Sequence, residues 1–229
     1  MENPGRKQRW LYAAVILTVS AFPFAKLLHF PYKIPLLAIV CIAFYGVYCG
    51  HVAETGLKKI PKVGKFLLRV LAGFVLIELI FDFLIQPVIN HLFNDGADYS
   101  SYQFLQGNGR KLGIYLAYMW LSAALGEEIV YRGFLISIGE KLFQRKWMAV
   151  LLSSAIFSIA HVYQGWSGVA LTFLFGVAFS LLFLFNRRNL WVNILVHGMV
   201  DSLFLLLAYA GKLSYYEDPY GTIISFLTR

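Results

Sequence analysis

Seven stretches of this chain are long and apolar enough to be read as membrane spans, and ionisable residues sit inside several of them. A bilayer core takes roughly 20 apolar residues of helix, and the candidates are 10–29, 34–53, 66–90, 112–136, 147–164, 168–186 and 190–210. A charge near the bilayer centre costs from about 3 to more than 10 kcal/mol, depending on the reference state. Yet Glu127, Glu128 and Arg132 lie in the fourth run, His161 in the fifth, His197 and Asp201 in the seventh, and Glu78 with Asp82 in the third. The expectation is an all-α polytopic transmembrane bundle of about seven spanning helices with a polar site between them.

Composition agrees, because 59% hydrophobic against 14% charged residues is too apolar for a soluble domain of this length. Arg6, Lys7 and Arg9 lead into a run from Trp10 that continues past Phe22 without a small-residue cleavage pattern, so it reads as a first span rather than a removable signal. The net charge of +8 sits at the ends of apolar runs and not along one soluble face; this is a topology signal and points away from nucleic acid. With the N-terminus cytoplasmic, that side carries Arg6, Lys7, Arg9, Lys58, Lys59, Lys62, Lys65, Arg69, Lys141, Arg145, Lys146, Arg187 and Arg188. The other side carries Lys26, Lys33, Arg110, Lys111, Lys212 and Arg229. Cys41 and Cys49, roughly 12 Å apart along one helix, are beyond disulfide reach. Three sections follow within a single membrane domain: 1–111 with the first helices and a polar loop, 112–210 as a helical core, and 211–229 as a short tail. The longest polar segment, Asn90 to Lys111, holds the turn signals Asp95-Gly96 and Gly107-Asn108-Gly109.

Depth can be estimated from the helical rise. Measured from the cytoplasmic end, Glu127 and Glu128 lie roughly 20 Å deep, Arg132 about 13 Å, His161 about 21 Å, His197 about 10 Å and Asp201 about 16 Å. Three spans thus bring ionisable groups to overlapping depths, where they can share a cavity, expected to open toward the cytoplasm. Glu128 and Arg132, four apart, share a face and can form a charge-assisted pair, whereas Glu127 is offset by about 100° and stays available for chemistry. A carboxylate in such a cavity suits general-base work. Two histidines beside it suit water positioning and donation to an oxyanion. Buried Glu–Arg pairs and lone intramembrane histidines also serve as plain structural glue, and Asp201 one turn after His197 can be no more than its hydrogen-bond partner.

Three motifs carry a resemblance. Glu127-Glu128-Ile129-Val130-Tyr131-Arg132, Phe157-Ser158-Ile159-Ala160-His161 and His197-Gly198-Met199-Val200-Asp201, the last preceded by Asn189-Leu190-Trp191, occur in order on successive runs. They resemble the CAAX prenyl protease and bacteriocin-processing family of glutamic-type intramembrane endopeptidases, over about 112–205. The resemblance implies a peptidase of the cell membrane acting on a membrane-associated protein or peptide. Glu127 would activate water, His161 would position it, and His197 with residue 201 would form the oxyanion site, Glu128 and Arg132 supporting them. It also implies metal-free chemistry. Asp201 stands where mechanistically studied members of the family have Asn, whose amide donates at any pH; an ionised Asp only accepts. Two roles stay open for it: a protonated donor, or an ionised partner that orients His197.

Rival readings are weaker. Gly165-Trp166-Ser167-Gly168 imitates a rhomboid serine motif, but Ser167 and His197 fall near opposite surfaces. His-Glu-x-x-His is absent, as is Gly-x-Gly-Asp. Glu127, His161, His197 and Asp201 form a chemically reasonable zinc set, so the residues alone leave zinc open. Glu78 and Asp82, four apart, can line the cavity entrance, pair with Arg132 or pass protons. A proton-coupled transporter predicts internal repeats that the chain lacks, and a non-proteolytic immunity or scaffold protein would use the same groove to bind a partner.

Overall fold

From Val63 the chain runs as unbroken helix to Phe93, and such long rods set the architecture. The computed structural model describes residues 4–25, 28–48, 52–60 and 62–216, and no strand occurs among them. Helices α1 (Arg6–Ala21), α2 (Lys33–Tyr48) and α3 (Val63–Ile80) come first. A π-helical turn, Phe81–Ile85, joins α3 without interruption to α4 (Gln86–Phe93). After the loop 94–108, α5 (Gly109–Met119) runs into a π-helix, Trp120–Leu135, and on into α6 (Ile136–Phe143). Helices α7 (Lys146–Ile159), α8 (Gly165–Phe185) and α9 (Leu190–Tyr209) complete the bundle, and a short turn at Leu213–Tyr216 follows.

All seven apolar runs are helical where described, with shifted ends. Two helices, Val162–Phe185 and Leu190–Tyr209, are long and apolar enough to cross a membrane by length and composition. Helices α2 and α7 are apolar but only 16 and 14 residues long. The break expected at 164–168 falls earlier, because the chain leaves α7 at Ala160 and Gly165 takes a left-handed φ of 78°. Leu17, Val47, Leu68 and Leu151 stand exposed on the outer faces of α1, α2, α3 and α7, apolar surface of the kind that another apolar medium covers. Cys49, Lys26, Arg229 and most of the tail at 211–229 lie outside the described residues.

The rod 109–143 forms the centre, with every residue from Glu128 to Glu140 buried, and α2 and α9 pack along its π-helical part. Close approach requires small residues there: a Cβ on Gly133 would stand 2.6 Å from the Thr55 carbonyl oxygen.

Hydrogen bonds define two ends. At one, Leu190 N–H donates to the Gly56 carbonyl at 2.8 Å and Lys58 Nζ to that of Arg187 at 2.8 Å. Arg188 Nη2 reaches both oxygens of Glu140 at 2.7 and 2.6 Å, and Lys141 Nζ lies 3.3 Å from Glu54 Oε2. At the other, Asp98 N–H donates to Gln164 O and Gly107 N–H to Tyr209 O, both at 3.0 Å. There Gln86 Nε2 and Asn90 Nδ2 share the Tyr216 carbonyl at 2.6 and 3.1 Å.

Candidate functional site

A cavity of about 360 Å³ opens between the central rod, α3–α4, α8 and α9. Glu127, His161, His197 and Asp201 all line it, as do Glu78 and Asp82. The three motif segments therefore meet in one space. Both π-helical segments bear carboxylates on this wall, Asp82 on the first and Glu127 on the second; such i→i+5 segments often mark functional places in helices.

Glu128 faces away from the cavity and is completely buried. Its Oε1 lies 2.9 Å from Arg132 Nη1, the i,i+4 pair expected from spacing, and accepts from His197 Nδ1–H at 2.9 Å. Its Oε2 accepts from Asn193 Nδ2 at 3.0 Å. Arg132, 1% exposed, makes this contact as an ion pair rather than an aligned hydrogen bond, since its three nitrogens have no hydrogen-bond partner. Its guanidinium instead sits 4.5 Å from the Phe157 ring centre and 5.4 Å from that of Phe179, where the ring faces attract a cation.

Glu127 differs. It makes no hydrogen bond or ion pair among the described residues, so its carboxylate is left to whatever occupies the cavity. His161 Nδ1 is 2.9 Å from the Phe157 carbonyl. A carbonyl only accepts, so Nδ1 carries the proton and Nε2 is the free acceptor of the neutral ring.

Asp201 Oδ2 stands 3.7 Å from His197 Nε2, beyond hydrogen-bond length, and has no hydrogen-bond partner. The group that orients His197 is thus Glu128, through Nδ1, which removes the need for Asp201 in that role. Asp82 accepts from the Tyr215 hydroxyl at 2.8 Å. Glu78 and Asp82 line the cavity, while Arg132 is engaged with Glu128. Among the described residues no three His, Cys, Asp or Glu side chains form a metal-holding group. Ser167 is buried and stands outside the cavity lining.

Sequence reasoning missed Asn193, although it lies one turn before His197 on the same face of α9, a spacing that could have flagged it. It also missed Tyr99, Tyr102, Tyr163 and Tyr216, which close the cavity from three separate loops. Beside them on the loop, hydrogen bonding from the hydroxyl and N–H of Ser100 holds the Asp98 carboxyl below the usual carboxylate range. The lining includes the loop residues Pro23, Phe30, Tyr99, Tyr102, Tyr163 and Tyr216 and none from 54–60, 141–146 or 186–189. The cavity is thus lined from the end opposite the loops at 54–60, 141–146 and 186–189.

Residues 110–203 match the family model described as Rce1-like, type II CAAX prenyl endopeptidase Rce1-like. The match covers less than half of the chain, and it is that segment that is similar to the CAAX protease family. It spans the three motifs and stops two residues after Asp201, so the CAAX-protease-like segment coincides with most of the cavity's chemistry. No curated protein and no solved structure matches the chain.

Proposed function

We propose that this protein is a glutamate-dependent intramembrane endopeptidase that hydrolyses a peptide bond of a membrane-associated protein or peptide. The family match supports endopeptidase activity of the CAAX-protease type in general and does not favour the immunity or scaffold alternative. The glutamate mechanism rests on one observation: of two consecutive glutamates, Glu128 is consumed by Arg132, His197 and Asn193, and Glu127 lines the cavity unbonded.

In this reading Glu127 and the free Nε2 of His161 hold a water, and the Glu127 carboxylate takes one of its protons as the oxygen attacks the scissile carbonyl carbon. The carbonyl oxygen becomes an oxyanion, met by the Nε2–H of a doubly protonated His197, whose Nδ1–H is held by Glu128, and, when protonated, by the Asp201 carboxyl. Collapse breaks the C–N bond, and the leaving amine takes the proton from Glu127. Glu128 and Arg132 act at one remove by fixing His197. A bundle of about seven spans with a cytoplasmic N-terminus is the setting for this chemistry, supported by the two long apolar helices, the exposed apolar faces and the Lys and Arg bias.

Cleavage of membrane-peptide substrates by purified wild-type protein and by Glu127→Gln tests the reading. The swap is nearly isosteric, so the variant keeps the wild-type melting profile and loses on the order of 10²–10⁴-fold in rate, the usual contribution of a general base. Residual activity above a few per cent of wild type sinks the assignment.

A further inference from the structure

Three polar side chains, Asp82, Gln86 and Asn90, follow one another at four-residue intervals along the continuous helix of α3 and α4, in a stretch, 79–90, that is otherwise apolar. All three reach the same short turn, Leu213–Tyr216. Asp82 Oδ2 accepts from the Tyr215 hydroxyl at 2.8 Å, and Gln86 Nε2 and Asn90 Nδ2 both donate to the Tyr216 carbonyl, at 2.6 and 3.1 Å. Tyr216 is 9% exposed, with its ring centre 5.5 Å from that of Tyr99 and 5.6 Å from that of Phe204. Tyr216, Asp82, Gln86, Tyr99 and Phe204 line the same cavity as Glu127.

A buried amide costs stability unless it is hydrogen-bonded. Gln86, 3% exposed, finds its bond in a main-chain carbonyl, a group that every peptide carries. In peptide recognition, main-chain hydrogen bonds supply affinity and side-chain pockets supply selectivity. Both are present on this wall. Two amide donors converge on one carbonyl, the ring of that same residue sits between Tyr99 and Phe204, and a carboxylate receives the hydroxyl of the residue before it. The ligand here is the chain itself, which turns after α9 through Gly211 at a left-handed φ of 69°.

We propose that this wall of the cavity is a peptide-binding subsite selective for tyrosine, held by the chain's own Tyr215-Tyr216 as an internal ligand, and that a tyrosine-bearing substrate segment takes the same place. That the incoming ligand is a substrate rests on the endopeptidase reading above, whereas the subsite rests on the contacts of Asp82, Gln86 and Asn90. An incoming segment binds only while the turn is away. Its apparent affinity is therefore lowered by the fraction of time the subsite stands vacant.

The test uses the purified full chain carrying Glu127→Gln, so that binding is read without cleavage, and a fluorescein-labelled peptide Lys-Leu-Ser-Tyr-Tyr, the sequence of 212–216, as probe. Tyr216→Ala empties the subsite from the ligand side and is expected to bind the probe about 5-fold or more tighter than its parent. Gln86→Leu added to Tyr216→Ala removes the donor from the wall and is expected to abolish that gain. Tyr215→Phe keeps the ring and removes only the bond to Asp82; it is expected to shift affinity the same way as Tyr216→Ala, and it carries the test if that variant melts early. With Glu127 intact, Tyr216→Ala and Gln86→Leu are expected to move the apparent KM for a tyrosine-bearing membrane peptide in opposite directions, down and up. A contact that merely holds the fold moves both the same way, and that result overturns the proposal. So does equal probe affinity in the parent and both ligand-side variants, or a gain that survives Gln86→Leu. The expected probe binding, with no membrane peptide cut by the protein that keeps Glu127, overturns the endopeptidase reading and leaves the subsite standing.

Discussion

At the basic end of the bundle the acids are matched to cations, whereas at the cavity end they are not. Glu140, 5% exposed at its side chain, is gripped by Arg188 through both oxygens, and Glu54 meets Lys141. Around the cavity, Glu127 makes no direct bond, and Glu78 and Asp201 each hold a buried oxygen without a hydrogen-bond partner. Burying a polar group without a partner costs stability. The first end is therefore organised for rigidity and the second carries a standing cost, the pattern expected where free polar groups serve substrate. Glu128 links the two regimes: buried and fully partnered like Glu140, it spends those partners on orienting a histidine of the cavity.

That contrast breaks most readily at Arg132. Arg132→Ala leaves Glu128 without the one permanent cation paired with it among the described residues, and removing one member of a buried pair costs about 3–5 kcal/mol. The yield and melting temperature of purified protein should fall sharply, and Glu128→Gln with Arg132→Gln should recover part of the loss. Equal melting of single and double variants would mean that the pair does not hold the core.

A smaller effect is expected from Glu140→Gln at the clamped end. The amide keeps its shape but weakens the charge-assisted bonds to Arg188, a loss of about 1–3 kcal/mol by denaturant unfolding. Cleavage per folded molecule should be unchanged, because no atom of this clamp lines the cavity. A selective fall in turnover with normal stability would erase the distinction between the two ends.

Asp201→Asn should be the mildest of the three. Since Glu128 already orients His197, an amide at 201 keeps donation to an oxyanion and activity survives. A carboxyl donates only while protonated, so wild-type activity should decline as pH rises through the Asp201 pKa, and the Asn variant should flatten that alkaline limb. Loss of activity at every pH would return the orienting role to Asp201.

What the residues alone revealed follows the range of the interactions. Glu128 and Arg132 were legible because they are one helical turn apart, and the meeting of three motifs was legible because axial rise gives depth. The grip of Asn193 on Glu128 spans 65 positions and depends on how α9 rotates against the central rod, which depth does not encode. Which loops line the cavity was illegible for a related reason. Depth locates Glu127 along an axis, but the lining is decided by which loops close, and the clamps of Gly56, Glu140 and Arg188 are tertiary contacts. Span counting also blurred, because apolar composition persists through the turn at Val162–Gln164 that separates α7 from α8.

The π-helix of Trp120–Leu135 makes the choice between two identical side chains a matter of phase. Glu127 and Glu128 have the same chemistry, and only their angular position about the rod decides which one meets the cavity and which one meets Arg132 and His197. Adjacent positions differ by about 100° on an α-helix and by less on the wider π-helix, so a one-residue slip upstream would put one glutamate in the other's place and Ile129 or Gly126 in the place it left, while preserving every amino acid of the motif. Much as a reading frame gives meaning to letters, the winding of this helix gives meaning to the pair, and the small residues that let it pack, Gly126 and Gly133 among them, are guardians of that frame.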